Sequence, residues 1–115
     1  MNAKEELISI INAAINATAN DIRFTLRDDN VEIFFRVGYG VEPHHRILIE
    51  KYKQLLAYIR FNASMDLTHP MQPQSGEFTI DDVICRVSIL PTSSRFDSMI
   101  LTIKSGGGLN VLHNE

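Results

Sequence analysis

Between Ile22 and Val37 the chain alternates apolar and polar residues with a period of two, broken once by three short polar residues. Ile22, Phe24 and Leu26 interleave with Arg23, Thr25 and Arg27, and Val31, Ile33, Phe35 and Val37 interleave with Glu32, Phe34 and Arg36. Period two puts successive side chains on opposite faces of a strand, so each run has one apolar face. The interrupting Asp28-Asp29-Asn30 suits a tight turn, because short polar side chains tolerate turn geometry and bond to the local backbone. The stretch predicts a β-hairpin whose apolar face needs a cover.

Two segments can supply that cover. From Lys4 to Ala19, residues Leu7, Ile10, Ile11, Ala14 and Ile15 fall at helical spacing, with Thr18 weakening the stripe and Asn20 a stop. From about Glu50 to Ala63, residues Tyr52, Leu55, Leu56 and Ile59 form a second stripe, with Lys51, Lys53 and Arg60 turned outward. Gly38-Tyr39-Gly40 ends the second strand, and Pro43 and His44-His45 lead into this helix. His69 to Gly76 reads as an irregular loop, since Pro70 and Pro73 cannot donate to a ladder. Three further strands follow: Glu77 to Ile80, then Val83 to Leu90 after a turn at Asp81-Asp82, then a run containing Met99, Leu101 and Ile103. The expected fold class is α+β, an antiparallel sheet of about five to six strands with helices packed on one face. Residues 1–104 form the expected domain, and 105–115, opening on Ser105 and three glycines, the expected flexible tail or interdomain linker.

At 115 residues there is room for one domain, and 44% apolar with 22% charged residues is a globular balance. The apolar runs are too short to span a bilayer, and Met1-Asn2-Ala3-Lys4-Glu5-Glu6 does not open like a signal peptide. One cysteine, Cys85, excludes an internal disulfide and fits a reducing compartment, so the expected location is cytoplasmic. A net charge of -3 argues against general nucleic-acid binding.

No catalytic residue and no metal site is expected. Lys104 precedes the glycine triplet rather than following it, so this is not a phosphate-binding loop of the Walker A kind. His44 and His45 on an extended segment would point to opposite sides, and His69 and His113 bring no ligand spacing, so these read as solvated loop histidines. Cys85 lies on the apolar side of its strand, where a buried thiol is the ordinary outcome. Asp28-Asp29 and Asp81-Asp82 are explained by turns. Arg23, Arg27, Arg36 and Arg86 all take the non-core positions of their strands. If those strands are neighbours, one sheet face presents several guanidinium groups able to meet phosphates or carboxylates. Separate surface arginines paired with Glu32, Asp81 or water fit the same pattern.

Five segments carry a resemblance: Ala19-Asn20-Asp21-Ile22-Arg23-Phe24, Phe35-Arg36-Val37-Gly38, Ile59-Arg60-Phe61-Asn62-Ala63-Ser64-Met65-Asp66-Leu67, Gln72-Pro73-Gln74-Ser75-Gly76 and Arg86-Val87-Ser88-Ile89-Leu90-Pro91-Thr92. In this order they resemble the N-terminal domain of the secretion-type ATPases that drive type II secretion, type IV pilus assembly and competence pseudopili. The likeness covers about residues 5 to 104 and is strongest to the Gram-positive competence branch. Gly38 stands where the family has aspartate, Arg23 where it has histidine, and His69-Pro70-Met71 where relatives carry a basic pair.

The resemblance implies a PAS-like domain, joined in full-length members to a RecA-like domain that bears the Walker motifs. It implies a regulatory and docking role in a hexamer at the inner face of the membrane, powering pseudopilus assembly for DNA uptake or secretion. Partners would be the ATPase domain of the same or a neighbouring subunit and an inner-membrane assembly protein, with no direct nucleic acid. No cofactor would bind tightly, and ATP would be met only with the ATPase domain. This chain is therefore expected not to be an enzyme by itself. A family arginine that approaches the γ-phosphate maps to Arg86. A second falls at Thr102, which has no charge, with Lys104 two residues on and on the same face. The alternative is a free-standing PAS-like binding or adaptor module.

Overall fold

The computed structural model describes residues 1–65, 73–91 and 98–105. Helix α1 spans Ala3–Asn16 and starts on a reciprocal cap: the Asn2 side chain accepts from the Glu5 backbone amide at 2.8 Å, and the Glu5 carboxylate accepts from the Asn2 amide at 3.1 Å. It stops earlier than the sequence pattern suggests. Thr18, with φ 57°, leaves the helical region, so the chain turns before Asn20.

Strands β1 (Asp21–Arg27) and β2 (Asn30–Val37) form the expected hairpin, Ile22 opposite Phe35 and Phe24 opposite Ile33. Asn30 already belongs to β2, and the turn is Asp28-Asp29, with Asp28 at φ 48°. The stretch Gly40–Leu48, read as a lead-in to the second helix, is strand β3. It pairs with β2 along its whole length, and Gly38 at φ 60° makes the connecting turn. Pro43 hid this strand from the sequence. An outer strand tolerates a proline because one of its edges has no ladder to feed.

Helix α2 (Ile49–Asn62) follows, then β4 (Gln74–Ile80), β5 (Val83–Leu90) and β6 (Ser98–Ser105). Strand β4 takes in Gln74 to Gly76, which the prolines had suggested were loop, and β6 takes in Ser105. The turn between β4 and β5 has Asp81 at φ 50° and Asp82 at φ 67°, the doubly left-handed pair that two-residue hairpin turns favour. Pro73 precedes β4 outside any regular element, and positions 69–72 of the loop reading lie outside the described residues, as do His113 and the tail from 106 onward.

All pairings are antiparallel, in the order β3-β2-β1-β6-β5-β4, so β1 and β6 sit at the centre and join the two ends of the chain. Both helices lie on one face. Leu7, Ile10, Ile11 and Ala14 from α1 and Tyr52, Leu55, Leu56 and Ile59 from α2 are buried against Ile22, Phe24, Ile33, Phe35, Cys85, Val87, Met99 and Leu101. Phe24 and Tyr52 stack with ring centres 5.8 Å apart. The α+β expectation is met, with six strands. Gly76 matters to the packing: a Cβ there would lie 3.3 Å from the Ala63 carbonyl oxygen and 3.4 Å from Met65 Cγ. The glycine lets β4 pass close under the end of α2. Among the described residues, no helix is long and apolar enough to cross a membrane.

Candidate functional site

The helices cover one face of the sheet, so the polar half of each alternating strand is left on the other. On β5, Val83, Cys85, Val87 and Ile89 are buried, which turns Arg86 and Ser88 to the open side. Arg86 is opposite Glu77 on β4 and Thr102 on β6, and Thr102 is opposite Asp21 on β1. Asp21 in turn is opposite Arg36 on β2. One row of side chains thus crosses five strands.

Arg86 and Lys104 converge on a single carboxylate. Arg86 Nη2 is 3.7 Å and Lys104 Nζ 3.6 Å from Glu77 Oε2. All three side chains are about half exposed, so the pairing is a solvated one that another anion can displace. The register shift between β5 and β6 at Ile84/Cys85 makes Lys104 the extra residue of β6, and its ammonium reaches Glu77. Beside Arg86 an open depression is lined by Ser75, Gly76, Glu77, Arg86 and Ser88. Its lining offers two hydroxyls, one guanidinium, one carboxylate and a glycine backbone, and Lys104 stands on the far side of the same carboxylate. Thr102 sits in the same row, between Arg86 and Asp21.

Sequence reasoning did not find Glu77 or Asp21. Asp21 is 6% exposed, and it holds Arg36 Nε at 2.8 Å and Arg23 Nε at 3.3 Å, one on each carboxylate oxygen. Arg36 also donates to the Gly38 carbonyl at 3.2 Å, which fastens the β2–β3 turn. The signal for Asp21 was its place two residues before Arg23 in the alternating pattern; its contact with Arg36 depends on register. Arg27 pairs with Glu32, as the simpler surface reading suggested, at 3.5 Å.

The two central histidines depart from expectation. A bulge opposite Ile33/Phe34 inserts His44 as an extra residue in β3, so the two rings do not point apart. They meet edge to face with centres 4.3 Å apart, and His44 stacks on Phe35 at 4.5 Å. Burial first, and the neighbouring His45 second, lower the His44 pKa below 6.5. Among the described residues no three histidine, cysteine or acidic side chains gather as metal ligands. Cys85 is buried, and burial pushes its thiol up to about 12, so it is a core residue and a poor nucleophile.

No family model matches the chain. It is 26% identical over 99 residues to the competence protein ComGA of Bacillus subtilis (strain 168), a match covering 83% of this chain and 28% of that protein. It is 32% identical over 85 residues to the competence protein ComGA of Halalkalibacterium halodurans, covering 69% of this chain and 24% of that protein. The chain is ComGA-like. The resemblance drawn from the five sequence segments, to the secretion-type ATPases in their competence branch, is borne out by these matches. The ComGA-like chain spans about a quarter of the length of the two relatives.

Proposed function

We propose that this ComGA-like chain acts as the N-terminal, PAS-like domain of a competence or type II secretion ATPase. It positions and gates an ATPase domain and docks on the membrane-side assembly apparatus, in a hexamer whose hydrolysis powers pseudopilus growth for DNA uptake or secretion. The chain itself supplies no hydrolysis. Its part is electrostatic: Arg86 and Lys104 bring fixed positive charge to the phosphates of a nucleotide held by the ATPase domain of the same or a neighbouring subunit. Charge placed on a rigid strand costs little reorganisation when the phosphate arrives, which is why a cation there can be effective.

The observation that carries this reading is the exposed Arg86–Lys104 pair on the helix-free face, in a chain similar to ComGA. Glu77 is the gate. It occupies both cations while the partner is away and yields them to a more highly charged group when the domains close.

The test is calorimetric binding of a non-hydrolysable ATP analogue, to this chain alone and to the chain joined to its ATPase domain. Binding is expected only in the joined form, and Arg86→Ala is expected to weaken it about tenfold, the worth of one charge-assisted contact. An affinity that Arg86→Ala leaves unchanged would refute the phosphate contact.

A further inference from the structure

The open face repeats one electrostatic unit three times. Asp21 is flanked by Arg23 and Arg36, Glu32 by Arg27 and Arg46, and Glu77 by Arg86 and Lys104. Each carboxylate holds two cations, so each unit carries one positive charge in excess. Among the described strand residues of this side, six cations against three carboxylates give +3, in a chain whose net charge is -3, so the other residues together carry -6. The negative total that spoke against general nucleic-acid binding thus hides a face of the opposite sign.

We infer that this face is a docking surface for an acidic protein surface, one whose carboxylates pair with the cationic units at Asp21 and Glu32, the Glu77 unit adding its charge beside them. The units are spread wide. Glu77 and Asp21 share a cross-strand row three strands apart, about 14 Å at the usual strand spacing, and Glu32 lies about as far from Asp21 along the hairpin. A single excess charge per unit, widely spaced, matches single carboxylates scattered over a folded surface. It does not match a nucleic-acid strand, which needs a continuous cationic track and free aromatic faces for its bases. The one aromatic ring among the strand residues of this side, Phe34, is already taken: the Arg27 guanidinium sits 5.8 Å from its centre. Toward the two ends of β5 the same side carries apolar side chains that water covers imperfectly, Ile84 at 37% and Leu90 at 45% exposed. Arginine-rich and part-apolar is the make-up of a protein interface. The carboxylate within each unit also pairs with its cations before the partner arrives, which limits their freedom and reduces the ordering cost on binding.

This inference does not rest on Arg86 meeting a nucleotide, and the experiment separates the two. Fluorescein-labelled poly-L-glutamate and a labelled oligothymidylate of equal length are titrated with the chain, followed by anisotropy at low and high salt. Poly-L-glutamate is expected to bind more tightly than oligothymidylate and to weaken about tenfold from 50 to 500 mM salt, as screening requires. The double variant Arg23→Gln/Arg27→Gln, which leaves Arg36 on Asp21, is expected to lose at least about fivefold in poly-L-glutamate affinity while ATP-analogue binding by the joined protein stays the same. Arg23→Lys/Arg27→Lys keeps the charge and is expected to hold affinity within about threefold, which separates lost charge from lost folding. Tighter binding of oligothymidylate would overturn the inference in favour of a nucleic-acid face. So would poly-L-glutamate binding that is absent, or that the glutamine pair leaves unchanged.

Discussion

Phe34 and Phe35 are neighbours in sequence and sit on opposite sides of the sheet, which makes them a test of everything built on strand phase. Phe35 is 5% exposed in the core, beneath the helices, while Phe34 is half-buried on the open face beside Arg27. Truncating a buried phenylalanine costs about 3–5 kcal/mol, from lost transfer energy and the cavity left behind. Phe35 lies on β2, next to the outer strand, and its ring is touched on that side by the exposed His44. That side can relax, so Phe35→Ala should fall near the lower end, about 3 kcal/mol. For a chain of this size that is a fall in Tm of roughly 12 °C. Phe34→Ala removes a cation–π contact and a partly covered ring, and should cost about 1 kcal/mol or less. Both variants are unfolded in urea and followed by far-ultraviolet circular dichroism, with equal m-values required for the comparison. Equal losses for the two, or a Phe35 loss below about 1 kcal/mol, would put β2 out by one residue. A one-residue slip would exchange the two faces and take the cationic side with it.

Other outcomes follow from the packing. Cys85, buried and with its thiol pushed up to about 12, should resist a thiol reagent at pH 8 until urea unfolds the chain. Because the folded thiol ionises later than the unfolded one, stability should decline as pH rises from about 9 toward 12, and Cys85→Ser should remove that decline. His44 has the opposite sign. Its folded pKa lies below 6.5, so the stability it contributes is present above that value and is lost as pH falls through the folded pKa. Denaturation series between pH 7.5 and 5 should show this slope, and His44→Phe should flatten it while keeping the stack on Phe35. Gly76→Ala places a methyl group 3.3 Å from the Ala63 carbonyl, with backbone on one side that cannot turn away, and should cost about 1–3 kcal/mol. A neutral or stabilising result in a melting experiment would mean that α2 and β4 are farther apart than described.

Much of this protein was legible because its elements are marked locally. The alternation of β1, β2, β5 and β6 and the stripes of α1 and α2 name most of the core, from Leu7 to Leu101. Strand β3 and the start of β4 were not legible, since each carries or follows a proline. Whether a proline breaks a strand depends on whether its missing amide was needed, and only the position in the sheet answers that.

The sequence by itself settled which side of β1, β2 and β5 faces inward, and with it that Arg23, Arg27, Arg36 and Arg86 face outward. It had no means of showing which of them stand together. Two charges that meet across a sheet come from distant parts of the chain: Asp21 reaches Arg36 through the hairpin register, and Glu77 reaches Lys104 across the ladders of β5 and β6. Side-chain direction is a property of the local period, whereas neighbourhood is a property of strand order and register, and those are set only when the whole core closes. Hence the composition reads as acidic, and the folded molecule turns a positive face outward.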